Sequence, residues 1–264
     1  MKLFNYPDEK YFSIDAISSS GLKAIGRSPL EFQLQKKQII DSQTDALVFG
    51  RCLHSMFLQP DLNDQIKRFD GTKNVSKTWL KAKEASDDYM LVPYAQYDMA
   101  VEMCKSLRAN EEMCNIFSGG NAEIVLLGDL ENKYKAKAKL DYLKEGEHGV
   151  IIGDLKTIAD IEFDKMQWTI IKYGYHIQAA WYKLLTEFAG YTVDKFIFGF
   201  VSKKEPYNTI CIELSDEFMA FGLEMVNKHY KTYKDCLANN TWPAPYKGTY
   251  TIELPRKFQQ KDDY

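Results

Sequence analysis

Cysteine pairs, long apolar runs and excess positive charge are all missing from this sequence of 264 residues. The five cysteines are scattered and form no C-x-x-C pair, which argues against a disulfide framework and against a zinc site. No apolar run is long enough to span a bilayer, and Met1–Pro7 shows no signal-peptide core. We therefore expect a cytoplasmic protein with no membrane partner.

The charge balance is slightly acidic, with 34 Lys and Arg against 37 Asp and Glu and a net charge of −3. Proteins that bind nucleic acid often carry a basic face, but the overall charge does not exclude a local one. A hydrophobic content of 45% is ample for a buried core. We expect one domain over residues 1–264, with a mainly helical part over 1–120 and a sheet core and tail over 121–264.

Polar and apolar side chains alternate from Lys133 to Asp141, which predicts a strand with one buried face. Residues 144–149 supply a turn, and a second strand begins at Val150 and places Asp154 and Lys156 on a shared face. The apolar face of the first strand consists of Tyr134, Ala136, Ala138 and Leu140. The segment is therefore predicted to be a β-hairpin that carries charged residues.

If the two strands pair, Asp141 lies near Asp154, and their carboxylates supply the hard oxygen ligands that Mg²⁺ or Mn²⁺ prefers. Two residues along a strand span roughly 6.6 Å, so Asp154 and Lys156 can flank one phosphate. Lys156 would then face the reacting phosphoryl oxygens. Spacing alone also fits a surface hairpin with ordinary solvated charges.

Helices are predicted on both sides of this hairpin in the chain. Ser18 begins a polar cap for a helix that ends at about Arg27. Asp45–Leu58 has an apolar stripe of helical period, in which a glycine would let another segment approach. Phe163–Ala189 is predicted to be one long helix closed by Gly190. The apolar stripe of the helix over Asp45–Leu58 consists of Leu47, Gly50, Leu53, His54 and Phe57.

The order Asp141, Asp154-Leu155-Lys156 and Gln178-x-x-x-Tyr182 resembles the PD-(D/E)xK nuclease superfamily. Within the RecB-like branch, the chain resembles the RecE-type exonucleases (exonuclease VIII). Further stretches that carry the resemblance are Gly50-Arg51-Cys52-Leu53-His54, Asp154 to Asp160 and Tyr175 to Tyr182. Leu140 stands where many relatives have proline, which matters little because the carboxylate of Asp141 is the ligand.

The resemblance implies an α/β (α+β) fold with a restriction-endonuclease-like core, in which helices flank a central mixed β-sheet. It implies that His54, Asp141, Asp154 and the backbone carbonyl of Leu155 hold Mg²⁺ or Mn²⁺. It makes Lys156 catalytic and adds Glu123, on a strand predicted over Ala122–Leu127, as an auxiliary carboxylate. Without the resemblance, His54 would be read as an ordinary core histidine.

Gln178 and Tyr182 are four residues apart and so share one face of their predicted helix. Gln178 can donate to a phosphate or to a metal-bound water, and Tyr182 can donate or stack. The alternative is that both side chains close a buried polar network. The scattered cysteines argue against the iron–sulfur relatives in this branch, which need four cysteines around the nuclease core, so we expect no iron–sulfur cluster.

Lysines at alternate positions of the first hairpin strand predict a positive stripe toward DNA, on the same face as Asp141. For the outer two lysines, the alternative is a lysine-coated edge strand that resists aggregation. Arg27 could hold a terminal phosphate through two of its guanidinium nitrogens, or it could be a solvated charge. The stripe consists of Lys133, Lys135, Lys137 and Lys139.

The resemblance implies an exodeoxyribonuclease that degrades one strand of double-stranded DNA from an end, as a ring-shaped homo-oligomer. Its expected partner is a RecT-like single-strand annealing protein, and its polarity is expected to be 5′ to 3′. The sequence has no Walker A motif, so we expect no ATP in this chain. The alternatives are a non-catalytic DNA-end-binding scaffold and a Cas4-like or helicase-associated nuclease.

Overall fold

A six-stranded mixed sheet forms the centre of the structure, a computed structural model that describes residues 2–3, 6–38, 45–70, 81–82, 89–131 and 134–254. In spatial order the strands are β1 (Lys2–Leu3), β4 (Asn121–Leu130), β5 (Tyr134–Glu145), β6 (Val150–Ile158), β7 (Val193–Ser202) and β8 (Thr209–Glu213). The β6 and β7 strands are parallel, and the other neighbouring pairs are antiparallel. A separate parallel pair consists of β2 (Ile66–Phe69) and β3 (Met90–Pro93).

Helices cover both faces of the large sheet. In chain order they are α1 (Asp8–Ser13), α2 (Ser19–Arg27), α3 (Pro29–Gln38), α4 (Asp45–Leu58), α5 (Tyr94–Ala109), α6 (Glu111–Ile116), α7 (Met166–Lys172), α8 (Tyr175–Phe188) and α9 (Asp216–Asn239). Short 3₁₀ segments occupy Pro60–Gln65 and Phe163–Lys165. No helix within these described ranges is long and apolar enough to cross a membrane.

The alternation of side chains along β7 separates two hydrophobic clusters. Phe196, Phe198 and Phe200 point into one cluster, which also contains residues of α2, α8 and α9. Ile197 and Val201 point into the other, which contains residues of α4, α5 and α6. Since successive strand residues face opposite sides of a sheet, the two clusters form a helical layer on each face. The predicted fold class, a mixed sheet flanked by helices, is confirmed.

The predicted hairpin is confirmed as β5 and β6, which pair in antiparallel register. The predicted N-cap is also present, since the hydroxyl oxygen of Ser18 accepts from the amide of Gly21. Gly190 follows α8 with a φ of +94°, and its amide donates to the carbonyl of Glu187 over 2.9 Å. Local sequence signals therefore determine these element ends.

The prediction of one long helix over Phe163–Ala189 is wrong. The chain leaves α7 at Tyr173 and starts α8 after Gly174, whose φ of +63° is left-handed. A Cβ at Gly174 would also lie 2.7 Å from Cδ of Lys23. The backbone angle at this break favours glycine, and the lack of a Cβ leaves room for the stem of that lysine.

The predicted inward stripe of α4 needs correction. Leu47 is 59% exposed, whereas Phe49, Cys52 and Met56 are buried together with Leu53. A Cβ at Gly50 would meet nothing within 4 Å among the described residues, so the expected close approach at this glycine does not occur there. The helix buries a face rotated from the predicted one because it packs on α5 as well as on the sheet.

Candidate active site

The hairpin brings the two predicted aspartates together. Backbone pairing of β5 with β6 ends at Tyr142 and Gly153, which are the chain neighbours of Asp141 and Asp154. Beyond this point, the amide of Leu155 donates to Oδ2 of Asp141 over 2.8 Å. The strands thus diverge at the two carboxylates, and one carboxylate takes the place of a backbone acceptor.

Lys156 forms an ion pair with each of these aspartates. Its Nζ is in close contact with Oδ1 of Asp154 and lies 4.0 Å from Oδ2 of Asp141. Asp154 is fully buried, and burial raises its pKa to about 6 although the Lys156 ammonium opposes the shift. Burial lowers the pKa of Lys156, but the two carboxylates outweigh it, so the pKa lies above its ordinary value. Lys156 is therefore a charged ammonium at neutral pH.

His54 reaches the same carboxylates from α4. Its Nε2 lies 2.9 Å from the carbonyl oxygen of Leu155, and its Nδ1 lies 3.6 Å from Oδ2 of Asp141. A carbonyl can only accept, so Nε2 carries the proton and Nδ1 presents a lone pair. Burial, with the nearby Lys156 charge, lowers the pKa of His54 and favours the neutral imidazole. Neutral imidazole is the form that binds metal ions.

Glu123 enters the site from β4 through an unusual backbone conformation. Its φ is +55°, between two neighbours that pair normally with β5. Such a conformation costs of order 1–3 kcal/mol for a residue other than glycine and persists only where the surroundings enforce it. The carboxylate forms an ion pair with Lys139. Burial and then the charge of Asp141 raise the pKa of Glu123, which shows how tightly the acids are packed.

One ligand atom from each of His54, Glu123 and Asp141 lies within 4.8 Å of the other two. With Nε2 donating to the Leu155 carbonyl, the imidazole Nδ1 can offer its lone pair to a metal ion, as can the two carboxylates. Oxygen ligands with one imidazole suit a small divalent cation such as Mg²⁺ or Mn²⁺. The residues present therefore fit a divalent metal ion.

Gln178 supports the site from α8, on the opposite side of the sheet from α4. Its Nε2 donates to Oδ2 of Asp154 over 2.7 Å, inside the core. With Lys156 on Oδ1, both oxygens of the Asp154 carboxylate are held. Gln178 thus fixes the orientation of Asp154, which differs from the expectation that its amide faces a phosphate or a metal-bound water.

Comparison of the sequence with models of known protein families identifies one family. Residues 18–251 match the model of a family described as "PDDEXK-like domain of unknown function (DUF3799)". The chain belongs to this family. No curated protein matches the sequence.

The fold of this PDDEXK-like domain recurs among solved structures. A protein from Eubacterium rectale named "Putative exonuclease" superposes with a TM-score of 0.61 at 17% identity, covering 94% of this chain and 97% of that chain. A phage-related exonuclease from Haemophilus somnus 129PT gives a TM-score of 0.39 at 15% identity, covering 88% of this chain and 100% of that chain. At these identities, the first likeness shows a shared fold.

The predicted metal set of this PDDEXK-like domain, His54, Asp141, Asp154 and the Leu155 carbonyl, stays a prediction. His54 and Asp141 are grouped with Glu123, which was expected only as an auxiliary carboxylate. Asp154 lies outside that group, and its two carboxylate oxygens contact Lys156 and Gln178. The Leu155 carbonyl, a predicted ligand, accepts a hydrogen bond from His54.

Tyr182 is a packing residue rather than an exposed stacking one. Its side chain is buried, and its hydroxyl is hydrogen-bonded to Ser19. Burial, followed by the charge of Asp154, raises the pKa of Tyr182 well above its ordinary value. Tyr182 therefore has the second role predicted for the Gln-x-x-x-Tyr pair, as part of a buried polar network.

The predicted lysine stripe is corrected by the structure. Lys137 is buried, and its Nζ donates to the carbonyls of Tyr11 and Ile14 over 2.9 and 2.8 Å. Lys139 forms ion pairs with Asp8 and Glu123. Both lysines therefore hold the N-terminal segment and the site together.

Lys135 remains exposed, as a DNA contact requires, and Lys133 lies outside the described residues. Arg27 is also exposed, and its guanidinium lies 3.3 Å from Glu31 one turn later in the chain. The predictions for Lys135 and Arg27 as DNA contacts stay predictions.

Two residues that the sequence did not assign also lie at the site. The Nζ of Lys156 is 5.8 Å from the ring centre of Tyr175. Burial, and then the charge of Lys156, lower the pKa of Lys23. Tyr175 lies three residues before Gln178, a spacing that places both on one helix face. That spacing could have identified Tyr175, whereas Lys23 is brought in from α2 by tertiary packing.

Proposed function

We propose that this protein is a divalent-metal-dependent exodeoxyribonuclease that degrades one strand of linear double-stranded DNA from its end. The observation that carries the proposal is the convergence of Asp141, Asp154 and Lys156 with His54 and Glu123 where the hairpin strands diverge. The family membership and the fold neighbour support a nuclease-like chemistry. The preferred polarity, 5′ to 3′, rests on the resemblance to RecE-type exonucleases.

His54, Glu123 and Asp141 would hold the metal ion, which supplies a polarised phosphoryl group and a bound water of lowered pKa. Lys156 places a fixed positive charge where the phosphoryl oxygens gain negative charge. Asp154 holds that ammonium in place, and Gln178 holds Asp154. The Leu155 amide keeps the Asp141 carboxylate oriented. Every group is thus positioned before the substrate arrives.

Linear duplex DNA labelled separately at its 5′ and 3′ ends, beside a closed circle, tests the proposal. We expect Mg²⁺ or Mn²⁺ to support loss of the linear DNA, with mononucleotides released first from the 5′ label. EDTA should prevent this, and the circle should survive. Nicking of the circle would indicate an endonuclease, and no cutting with any metal would favour a non-catalytic DNA-end-binding scaffold.

Replacing Lys156 with alanine should abolish cutting and leave metal binding largely intact. The lysine contacts the aspartates but lies outside the group of His54, Glu123 and Asp141. Removing one such stabilising charge typically costs a factor of about 10²–10³ in rate. Digestion assays and Mn²⁺ titration on the same preparation measure the two effects. Near-normal cutting by this variant would contradict the role of Lys156.

The proposal extends to the assembly and its role. By resemblance, we propose a ring-shaped homo-oligomer that leaves 3′ single-stranded overhangs for a RecT-like annealing protein during recombination. Light scattering coupled to size-exclusion chromatography measures the oligomeric state. A monomer at micromolar concentration would contradict the ring.

A further inference from the structure

Two stacked tyrosine rings lead from the catalytic lysine toward solvent. The rings of Tyr175 and Tyr173 have centres 5.6 Å apart and an interplanar angle of 26°. Nζ of Lys156 lies 5.8 Å from the Tyr175 ring centre, and Tyr173 is 51% exposed. The stack therefore begins at the site and ends in a ring that is available to solvent.

Lys23 runs alongside this stack. Its stem packs against Gly174, between the two tyrosines, where a Cβ would lie 2.7 Å from Cδ of the lysine. Its Nζ donates to the carbonyl of Tyr173 over 3.4 Å and lies 6.0 Å from the Tyr175 ring centre. The Lys23 and Lys156 ammonium groups thus lie at similar distances from one ring.

The two ammonium groups differ in their counter-charges. Lys156 contacts Asp154, whereas Lys23 has no carboxylate within 4.0 Å in the part of the chain that the structure describes. Burial, and then the charge of Lys156, lower the pKa of Lys23 to about 8, so it remains mostly protonated at pH 7. A cation held near another cation without a counter-charge is stabilised by an anionic ligand.

On the basis of the proposed nuclease function, we propose that Lys23, Tyr173 and Tyr175 bind the nucleotide next to the scissile phosphate. Lys23 contacts the flanking phosphate, and Tyr173 stacks on the base. Tyr175 supports the Tyr173 ring and separates the flanking phosphate from the one at Lys156. Stacking on an aromatic ring and a lysine contact to phosphate both tolerate any base, as a processive nuclease requires.

Fluorescence of 2-aminopurine, placed in turn at the terminal and the next nucleotide of each strand end, tests the stacking. Binding is measured in EDTA, so that the readout does not depend on cutting. We expect one position to be quenched by the wild-type protein. Tyr173→Ala should abolish that quenching and weaken binding by about 5- to 150-fold, the usual range for one stacked base. Tyr173→Phe should preserve both.

Tyr94→Ala is the matched control, since Tyr94 is 50% exposed and begins α5, which packs against β3. This variant should bind and quench as the wild type does. Equal loss from Tyr94→Ala and Tyr173→Ala would overturn the subsite. Circular dichroism of each variant verifies that the half-exposed substitutions leave the fold intact.

Salt dependence tests the phosphate contact. Lys23→Met should weaken binding and reduce the slope of log affinity against log salt concentration by about 1, whereas Lys23→Arg should retain the slope. An unchanged slope in Lys23→Met, or unchanged quenching in Tyr173→Ala, overturns the subsite even if the wild type cuts DNA. Conversely, Tyr173-dependent quenching without cutting in any metal supports the subsite and overturns the nuclease proposal.

Discussion

At the scale of single residues, the site holds Glu123 in a conformation that its own backbone disfavours. The left-handed φ of +55° turns its carboxylate toward His54 and Asp141, and Lys139 holds it there. Strain of this kind concentrates where a side chain must be aimed. Replacing Glu123 should therefore weaken metal binding, and the stability of each variant should depend on how well the new residue tolerates the left-handed angle.

Glu123→Asn should be more stable than Glu123→Gln, and both variants should bind metal more weakly than the wild type. Asparagine tolerates left-handed angles better than glutamate, so the free energy of unfolding should exceed that of Glu123→Gln by up to about 1 kcal/mol. Both variants lose the charge, and Mn²⁺ affinity should fall at least tenfold in each. Urea unfolding and calorimetric titration measure these quantities. An Asn variant no more stable than the Gln variant would show that the backbone is unstrained.

Gln178→Leu should slow DNA cutting because Asp154 loses a hydrogen bond that orients it. Loss of the amide leaves Oδ2 of a buried carboxylate without its donor, which costs about 1–3 kcal/mol. We expect a 10- to 100-fold lower kcat, as for other residues that support a metal site. Gln35→Leu is the control because its amide donates to the Glu31 carboxylate at the surface, over 2.9 Å. Equal rates for the two variants would exclude a positioning role for Gln178.

At the scale of elements, the packing of α8 against α9 sets the position of Gln178. The two helices touch at Gly222, where a Cβ would lie 2.2 Å from the carbonyl oxygen of His176. His176 precedes Gln178 by two residues on α8. Any side chain at Gly222 must therefore push apart the helices that align the site.

Gly222→Ala should destabilise the protein by about 1–3 kcal/mol, since an added methyl group overpacks a rigid backbone contact. It should also lower the rate of cutting, because α8 must shift. Gly50→Ala is the matched control in α4, where a Cβ meets no described atom within 4 Å and alanine favours a helix by up to about 1 kcal/mol. Urea denaturation compares the two, and a neutral Gly222→Ala would refute the close contact.

At the scale of the whole molecule, the site lies where the two helical layers meet the sheet. His54 comes from the layer that contains α4, and Gln178 comes from the layer that contains α8. Glu123 and Asp141 come from neighbouring strands between these layers. A metal ion bound by His54, Glu123 and Asp141 would connect one layer to the sheet.

Divalent metal should therefore raise the melting temperature. Binding to the folded state alone stabilises it by about 2.7 kcal/mol when the free metal is at 100 times its dissociation constant. Differential scanning fluorimetry with Mn²⁺, with Mg²⁺ and with EDTA measures the shift. His54→Ala should remove most of it, and a shift of undiminished size in that variant would exclude His54 as a ligand.

The sequence by itself determined the hairpin, the Ser18 cap and the adjacency of Asp141, Asp154 and Lys156. Alternation, capping and strand pairing act over a few residues, so local sequence suffices to predict them. The resemblance further indicated His54 and Glu123.

Only the tertiary structure decided the rest. It directed Lys137 and Lys139 inward, broke the long helix at Gly174 and assigned the Gln178 amide to Asp154. It also brought Lys23 from α2 to the tyrosine stack. These features depend on which distant carbonyl, carboxylate or ring lies opposite each side chain. Such partners are set by the packing of whole elements, which the period of a segment does not encode.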